Sequence, residues 1–527
     1  MRTLAYALVA FAFSVSSAFA ATVRVAPSQE ESTGDWTGAY TDIQAACDAA
    51  SDGDTVLLKS GTYTLSGSEV KLVDRSLTIS GEAEGAVVID GAGLSRCLSC
   101  NIASGVANKP CLIENIVFRN GDASGSTADA NYNGRGGGVY LHSYNSTSRI
   151  TMRKCVIENC VTSFTTASCR GGGLYIGRYS TLEQTVVRNC STGKGSDTYS
   201  GGGGIFAIGN GGIIRGQGPI ISRCVVSNCT SAANRGAGMY CYANVYLEEC
   251  EIASNAMSEG SGSGVHCTQG GARVLDCSFT GNGRKNSTAK GSDIFLASNM
   301  VVSNCTFTGN MSDTASLYGG GNGTLVVGCT FTNEYNRAWQ SDDNAAVTFR
   351  NTLFALGKTG SSQQWTLCPG GAGVEITVEN CTFVNCVHAL RATLANTFRC
   401  VNCIFNGNTQ DFFIGASSTA ATPFTLVNCC FAAYPAEGKY SSADCVVTDD
   451  PRFVNAAAGD WRLKRSSPCV DKGSMSPTWL TADAIDLDGK PRVVTNGKPL
   501  AGNPGAVVDI GCFENQEALK GLTLIFR

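Results

Sequence analysis

Charge is scarce in this sequence. Charged residues make up 16% of the 527 residues, against roughly 25% in ordinary globular domains, and the formal net charge is −4. So little charge argues against a chain built mainly from charged helix faces. The small negative balance gives no general attraction to nucleic acid, whose binding depends on many Lys and Arg contacts with phosphate. We therefore expect no nucleic-acid partner.

Histidine is rarer still. The only three are His142, His266 and His388, and each lies in or beside an apolar strand-like segment. No catalytic motif surrounds any of them. We expect structural roles for all three.

Long apolar runs are confined to the N-terminus. A basic start is followed by an apolar stretch from Leu4 to Val15 and by Ser16-Ser-Ala-Phe-Ala20, which predicts a secretory signal peptide over residues 1–20. The run is shorter than the roughly 20 residues that cross a bilayer, which disfavours a membrane anchor. No later segment offers such a run. We expect residues 21–527 to be secreted or to lie at a bacterial-type cell surface.

Glycine and cysteine are the residues in excess, at 63 and 26 copies. An exported chain reaches a compartment where disulfides persist, but a chain of this length can bury a large core without them. Because many cysteines recur inside a repeat, a ladder of small packing residues is favoured over a disulfide zipper, whose geometry in-register stacking does not guarantee. Disulfide pairing stays open for four cysteines outside the repeat, Cys97, Cys100, Cys169 and Cys445.

A short strand-like unit recurs along the chain, as in Cys155-Val-Ile-Glu-Asn-Cys160 and Cys305-Thr-Phe-Thr-Gly-Asn310. Its third residue returns every 22 to 39 residues, at Phe118, Ile157, Val187, Val226, Ile252, Phe279, Phe307, Phe331, Phe354, Phe383, Phe405 and Phe431. Such periods are typical of solenoids, and the two intervals of 39 indicate a coil that carries a loop.

A glycine motif keeps the same phase as this repeat. It reads Arg135-Gly-Gly-Gly-Val-Tyr140 and recurs from Arg170 and Arg235. Glycine there permits positive φ and close coil packing. No coil can bury its inner face alone, so the coils must stack, with columns of Phe or Ile, Asn and Cys about 4.8 Å apart. The prediction is an all-β fold, a parallel β-helix solenoid.

A helix is predicted before the first coil. Thr41-Asp-Ile-Gln44 has capping-box spacing, and apolar residues from Ile43 to Ala50 share one helical face. The segments at 52–58 and 61–64 are then expected to start the sheet. This entrance resembles that of pectin-lyase-like proteins, which implies a right-handed β-helix closed by an N-terminal capping helix.

The repeats over residues 111–432 also look like those of polymorphic outer-membrane adhesins, which combine Gly-Gly-apolar units with Phe-x-x-Asn units such as Phe279-Thr-Gly-Asn282. The sequence departs from that family because no C-terminal membrane barrel is recognisable. Display at the outer membrane by that family's own route is therefore not implied.

The repeat gives way near residue 436 to a different pattern. Asp449-Asp-Pro-Arg-Phe-Val454, Ser467-Pro-Cys-Val-Asp-Lys-Gly473 and Val508-Asp-Ile-Gly-Cys-Phe-Glu514 resemble the choice-of-anchor Q domain. That resemblance implies an exported β-helix protein held at a bacterial surface. The predicted division is a β-helix over 21–435, a capping module over 436–515 and a short tail over 516–527.

Calcium is the one cofactor that the sequence suggests. Asp486-Leu-Asp-Gly489 hints at a calcium loop, but the other EF-hand ligands are missing at their required spacing. We favour turn capping, or pairing with Arg492, for Asp471, Asp486, Asp488 and Asp509. No metal site is predicted.

Two groups of residues are candidates for ligand contact. Arg135, Arg170 and Arg235 occupy equivalent repeat positions, so stacking could align them into a face for anionic glycan, although solvated arginines beside turns are the plainer alternative. The second candidate is a patch with two catalytic carboxylates, a cation and two sugar-stacking rings, Asp342, Asp343, Arg337, Tyr335 and Trp339. A solvated loop is its plainer interpretation.

Catalysis needs more than this fold. A lyase needs a base and cations, and a hydrolase generally needs two suitably placed carboxylates. The leading hypothesis is a non-catalytic adhesin or glycan-binding protein whose partner is a polysaccharide or envelope glycan. The alternatives are a polysaccharide lyase or glycoside hydrolase that acts on an acidic polysaccharide, and a purely structural envelope protein.

Overall fold

Short strands separated by turns stack as the repeat predicts. The computed structural model describes residues 20–124, 133–164, 168–209, 215–257, 259–284, 289–310, 314–333, 337–342, 345–357, 364–371, 373–435, 438–495, 498–499 and 508–516. Apart from one residue each, the predicted signal peptide and C-terminal tail lie outside these ranges. No helix within them has the length and apolar character needed to span a membrane.

Three parallel sheets form the walls of a β-helix, and the chain enters them in turn as the first, second and third sheet. The first has 16 strands: Thr22–Val25, Thr55–Leu58, Thr78–Gly81, Cys111–Glu114, Ile150–Arg153, Ser180–Glu183, Ile220–Ser222, Tyr246–Glu248, Arg273–Leu275, Val301–Ser303, Thr324–Val327, Val347–Arg350, Glu375–Glu379, Thr397–Val401, Phe424–Val427 and Tyr440–Ala443. The second has 15: Gly61–Thr64, Val87–Asp90, Ile116–Arg119, Val156–Glu158, Val186–Arg188, Val225–Ser227, Glu251–Ala253, Ser278–Thr280, Thr306–Thr308, Thr330–Thr332, Leu353–Ala355, Thr382–Val384, Ile404–Asn406, Cys430–Phe431 and Val446–Val447. The third has 13: Val70–Val73, Leu98–Ile102, Val139–Ser143, Leu174–Ile176, Ile205–Ile208, Met239–Tyr242, Val265–Cys267, Ile294–Leu296, Ala315–Gly319, Arg337–Ser341, Trp365–Pro369, His388–Ala392 and Gln410–Ile414.

The remaining elements are small. A fourth parallel sheet joins Val161–Thr162, Ser191–Thr192 and Thr230–Ser231. Among the described residues, the helices are Gly34–Trp36 and Ala456–Ala458, both 3-10, and the α-helix Ile43–Ala49. Two antiparallel pairs lie near the C-terminus, Phe453–Asn455 with Asp460–Leu463 and Val494–Thr495 with Lys498–Pro499.

The predicted columns are present inside the helix. Phe118 pairs directly with Ile157, and Val187 with Val226, so each interval of 39 residues is one coil carrying a loop. Rings one coil apart stack with centroids 4.5–5.2 Å apart at Phe279, Phe307, Phe331, Phe354, Phe383 and Phe405. The asparagine column also hydrogen-bonds its turns, since the Asn255 side-chain oxygen accepts from the Cys229 amide at 3.0 Å.

All 26 cysteines are free thiols, and all but Cys445 are buried. This agrees with the ladder of packing residues, and the suggested pairing of Cys97, Cys100, Cys169 and Cys445 was wrong. Cys445 also belongs to the column. Cys430 pairs with Val446, so the residues that precede them, Cys429 and Cys445, lie side by side in neighbouring coils.

We expect these thiols to be inert in the folded protein, because burial keeps reagents away from all of them except Cys445. Burial raises the pKa of Cys47 and Cys155 to about 12, and the thiolate is the reactive form. Iodoacetamide at pH 8 should therefore label few sites in the native protein and all 26 after unfolding in urea, as counted by mass spectrometry. Native labelling of several column cysteines would contradict the ladder.

The first sheet begins before residue 52, where the sequence predicted its start, and two sheets continue past residue 435. Thr22–Val25 pairs with Thr55–Leu58, so the first sheet begins with a strand that precedes the capping helix. At the other end, Tyr440–Ala443 and Val446–Val447 continue the first and second sheets past residue 435. The last strands of these two sheets therefore overlap the first residues of the predicted C-terminal module.

The N-terminal helix covers the open end of the solenoid. Its N-cap is Asp42, one residue after the predicted Thr41, and the Asp42 carboxylate accepts from the Ala45 amide at 2.7 Å. The Gln44 side chain accepts from the Lys71 amide at 2.6 Å and donates to the Lys71 carbonyl at 3.2 Å. These bonds occupy backbone groups at the edge of the third sheet, where an unpaired strand would otherwise be exposed.

The C-terminal module packs on the last coils through an asparagine column at the turns between the first and second sheets. The Asn402 side chain donates to the Ser474 carbonyl at 2.8 Å and accepts from the Ser474 amide at 2.6 Å. The Asn428 side chain donates to the Lys472 carbonyl at 2.8 Å. The side-chain amides of the coil turns therefore hold the backbone of the module.

A buried polar cluster organises the module itself. Arg492 is fully buried and donates to the carbonyls of Asp509, at 3.0 Å, and Gly511. The Asp486 carboxylate accepts from the Asp488 amide at 3.0 Å, so it caps a turn, as favoured from the sequence. Within the described part of the chain, no cluster of three His, Cys, Asp or Glu side chains is arranged to hold a metal ion.

This cluster should make the module less stable at neutral pH than in mild acid. Burial raises the pKa of Asp509 to about 6 and that of Glu514 well above its ordinary value. Both groups bind protons more tightly when folded, so their stabilisation is fully present below about pH 4 and is lost as the pH rises through the folded pKa, about 6 for Asp509. Relative to Asp509→Asn, the wild type should lose about 2 kcal/mol between pH 4 and pH 7 in urea unfolding. Parallel pH profiles for the two proteins would contradict this assignment.

Candidate functional site

The side of the third sheet that points away from the interior core carries a column of aromatic rings, all of them buried except that of Phe295. Tyr140 lies between Val139 and Leu141, which belong to the interior core, so its side chain points to the opposite face. Residues in register with it continue the column, with neighbouring ring centroids 4.7–6.0 Å apart, at Tyr175, Phe206, Tyr240, His266, Phe295 and Tyr318. We call this surface, with the cations that flank it, the cation–aromatic face.

Cationic side chains follow the rings from coil to coil. Isolated bridges pair Arg135 with Arg170 and Arg170 with Gly201. The Gly202 amide donates to the Arg235 carbonyl at 3.1 Å, which places Arg235 one coil further on. The predicted alignment of the three arginines on one face is therefore present. Their guanidinium carbons lie 5.7 Å from the centroid of Tyr175 for Arg135, 5.5 Å from that of Phe206 for Arg170 and 5.6 Å from that of Tyr240 for Arg235.

The three arginines differ in how much charge they leave available. Arg170 pairs with Asp197 at 2.7 Å, and Arg235 donates to the Tyr240 hydroxyl at 2.8 Å. Burial alone would raise the pKa of Asp197, but hydrogen bonds from Ser168, Ser200 and Arg170 hold that pKa below its ordinary value. Neither Arg135 nor Arg235 forms an ion pair with a carboxylate among the described residues.

A shallow hollow lies beside Arg170. It has a volume of about 250 Å³ and is lined by Arg170, Tyr199, Phe206, Ile208 and Tyr242. The Tyr199 side chain is 43% exposed and meets Tyr242 edge to face at 5.5 Å. Tyr199 and Asp197 both lie in a loop outside the repeat, so the repeat could not reveal them.

Further along the same face, a tryptophan lies close to two arginines. The guanidinium carbons of Arg391 and Arg337 lie 3.9 Å and 5.1 Å from the Trp365 ring centroid. His388 and Phe413 complete this tryptophan patch, each with its ring centroid 6.2 Å from that of Trp365. All five side chains are partly exposed. Neither arginine forms an ion pair with a described carboxylate.

Arg337 is the predicted residue that belongs to this patch. It donates to the Gln340 side-chain oxygen at 2.8 Å. Burial lowers the pKa of Arg337, yet an arginine remains charged at any physiological pH. Trp365 and Arg391 were missed from the sequence. The signal for Arg391 was its register, because Leu367 pairs with Leu390 and Cys368 with Gln340, which places Arg391 at an outward position.

Trp339 was predicted to contact ligand, and this was wrong. It is fully buried, it pairs with Leu317 and Leu367 of the neighbouring coils, and its indole N–H donates to the Gly319 carbonyl at 2.9 Å. Alternate residues of a strand face opposite sides, so Trp339 points inward when Gln340 points outward.

Two residues of the predicted patch, Asp343 and Tyr335, lie outside the described residues, so only Asp342 of the carboxylate pair is described. Asp342 pairs with Lys290 at 2.8 Å, and the Lys290 amine lies 5.2 Å from the Tyr318 ring centroid. Burial would raise the pKa of Asp342, but hydrogen bonds from Lys290 and Tyr318 outweigh it and lower that pKa. Asp342 is therefore a paired carboxylate, which suits it poorly to act as a general base near neutral pH.

Two of the three histidines are structural. Burial lowers the pKa of His142 and His266 to about 3, so both imidazoles stay neutral within the aromatic column. His388 differs, because it lies on the partly exposed tryptophan patch. Most rings of the column are buried, so the aromatic surface open to a ligand lies at the hollow beside Arg170 and at the tryptophan patch. There, fixed cations beside partly exposed rings suit an anionic ligand with apolar C–H surfaces.

One family model matches this chain, and several solved structures are similar to it. The chain matches the family described as right handed beta helix region over residues 184–354, in agreement with the predicted handedness. It is similar to a mannuronic acid specific family 6 polysaccharide lyase from human gut microbiota (12% identity, 82% of this chain and 92% of that chain, TM-score 0.32). It is also similar to a pectate lyase (12%, 94% and 96%, 0.28) and to a family 6 polysaccharide lyase from Pseudopedobacter saltans (10%, 86% and 98%, 0.35). The search of curated proteins finds no match.

Proposed function

We propose that this protein is an exported or surface-held β-helix that binds an acidic glycan along its cation–aromatic face without cleaving it. One observation carries the proposal: Arg135, Arg235, Arg337 and Arg391 lie on one face, beside aromatic rings, without a described carboxylate partner. On a chain of net charge −4, such a face concentrates positive charge locally. Guanidinium groups suit the planar carboxylate or sulfate groups of a glycan.

Export and surface attachment belong to the same proposal. They are supported by the signal-like N-terminus and by the C-terminal module, whose sequence resembles the choice-of-anchor Q domain. In this arrangement the module closes the solenoid, and the third sheet remains available to a long polymer.

The alternative is a lyase or hydrolase for acidic polysaccharide. Arg337 and Arg391 could supply the cations that a lyase needs to stabilise charge beside a uronate carboxylate. The paired state of Asp342 favours binding over catalysis.

One incubation separates the two functions. Purified mature protein is mixed with polygalacturonate, alginate and neutral polysaccharides, and retention on each polymer is measured together with new reducing ends and unsaturated uronides. We expect retention on an acidic polymer with no new ends. Chain cleavage would replace the proposal with the enzyme alternative, and absence of retention on every acidic polymer would remove it.

A further inference from the structure

A cleft of about 700 Å³ lies between the solenoid wall and the C-terminal module. The wall contributes the turn between the first and second sheets, including Asn304 and Thr306, and the module contributes Trp479, Asp483 and Asp488. This volume is in the range of small-molecule sites. The cleft is on a different wall from the cation–aromatic face and shares no residue with it.

Trp479 forms the aromatic wall of the cleft and packs against Arg350. The Arg350 guanidinium carbon lies 5.1 Å from the Trp479 ring centroid, and Arg350 also pairs with Glu379 at 3.1 Å. Arg350 is therefore engaged by a carboxylate, and its positive charge is largely compensated. Trp479 remains partly exposed, and Ile485 beside it is 51% exposed. Together they give the cleft a flat apolar surface that water covers poorly.

Apart from Arg350, which pairs with Glu379, the polar groups that line the cleft carry negative or no charge. Asp488 pairs with Lys490 at 3.1 Å, whereas exposed Asp483 has no ion pair with a described residue. The opposite wall adds the amide of Asn304 and the hydroxyl of Thr306. Acceptors of this kind take hydrogen bonds from hydroxyl groups, and the carboxylates disfavour an anionic ligand.

We infer that this module cleft binds an uncharged sugar, with its C–H face against Trp479 and its hydroxyls toward Asp483 and Asn304. A pyranose combines an apolar face with a rim of hydroxyl groups, which is the combination that the cleft presents. The inference does not depend on binding at the third sheet. If both sites act, one chain connects an acidic polymer to a neutral one.

The test is calorimetric titration of the full mature protein with cellobiose, maltose and mannobiose, and with digalacturonate as the anionic probe. We expect saturable binding of at least one neutral disaccharide. Trp479→Ala should weaken that binding by about tenfold or more, because it removes the stacking surface. Asp483→Ala should also weaken it and should leave the fold unchanged, because Asp483 is exposed.

The Asp483 variant keeps the test decisive if Trp479→Ala disturbs the module. The control is the Arg337→Ala/Arg391→Ala double variant, which should bind the neutral sugar as the wild type does. If the proposed function is wrong, the wild type will fail to bind digalacturonate but will still bind the neutral disaccharide. The inference is overturned if none of the three neutral disaccharides binds, or if neither cleft variant changes the affinity of the one that binds.

Discussion

Replacing Phe331 with alanine should destabilise the solenoid by about 3–5 kcal/mol, the range for removing a buried phenylalanine. Phe331 is fully buried, and its ring lies 4.5 Å from that of Phe307 and 5.2 Å from that of Phe354. The substitution opens a cavity in the middle of a column, where close-packed coils cannot relax fully. Equilibrium urea unfolding of the mature protein, followed by circular dichroism, measures the loss.

Two matched variants fix the interpretation. Phe331→Leu retains most of the volume and should cost less than about 1.5 kcal/mol. Thr330→Ala changes the preceding residue of the same strand, whose side chain faces outward, and should fall within about 0.5 kcal/mol of the wild type. If Phe331→Ala unfolds at the same urea concentration as Thr330→Ala, the stacked column is not the source of stability.

The Arg337→Ala/Arg391→Ala double variant should bind polyuronate at least about 100-fold more weakly than the wild type. Each guanidinium can form a charge-assisted hydrogen bond with a carboxylate, worth about 1.5–3 kcal/mol, and the two act on the same stretch of polymer. Retention on immobilised polygalacturonate at a fixed salt concentration measures the change. The salt dependence of binding should become shallower as well, because fewer charges are neutralised.

The control for this variant is Arg188→Ala. Arg188 lies on the second sheet and pairs with Glu158 at 2.6 Å, away from the cation–aromatic face. Its loss should leave polyuronate binding unchanged. Charge-conserving replacement of Arg337 and Arg391 by lysine should recover part of the affinity, since lysine keeps the charge and loses the planar fork. Equal binding by the wild type and the double alanine variant would exclude the tryptophan patch from the site.

The sequence predicted what the repeat itself encodes. Positions one coil apart pair as the Phe column required, from Phe118 to Phe405, because a stacked coil has one register that buries every ring. The same periodicity placed Arg135, Arg170 and Arg235 on one face. Cysteine in the column was correctly predicted to be a packing residue.

What the repeat does not encode was missed. Trp339 pairs with Leu367, two residues after Trp365, so strand alternation alone would place both tryptophans on the same side. Only Trp365 is partly exposed and lies beside Arg391, which the pattern did not predict. Asp197 pairs with Arg170 from an irregular loop, and the turn asparagine Asn402 holds the C-terminal module through contacts 72 residues apart. Such contacts depend on tertiary geometry that no local pattern carries.

Hydroxyl-radical footprinting with and without polygalacturonate tests the central claim most directly, because it maps the bound polymer on the protein surface. The account predicts reduced oxidation of Trp365, Phe413, Tyr199 and Tyr242 on the cation–aromatic face, and unchanged oxidation of Tyr434, which is 42% exposed elsewhere. Unchanged oxidation of all four aromatic residues in the presence of bound polymer would contradict it.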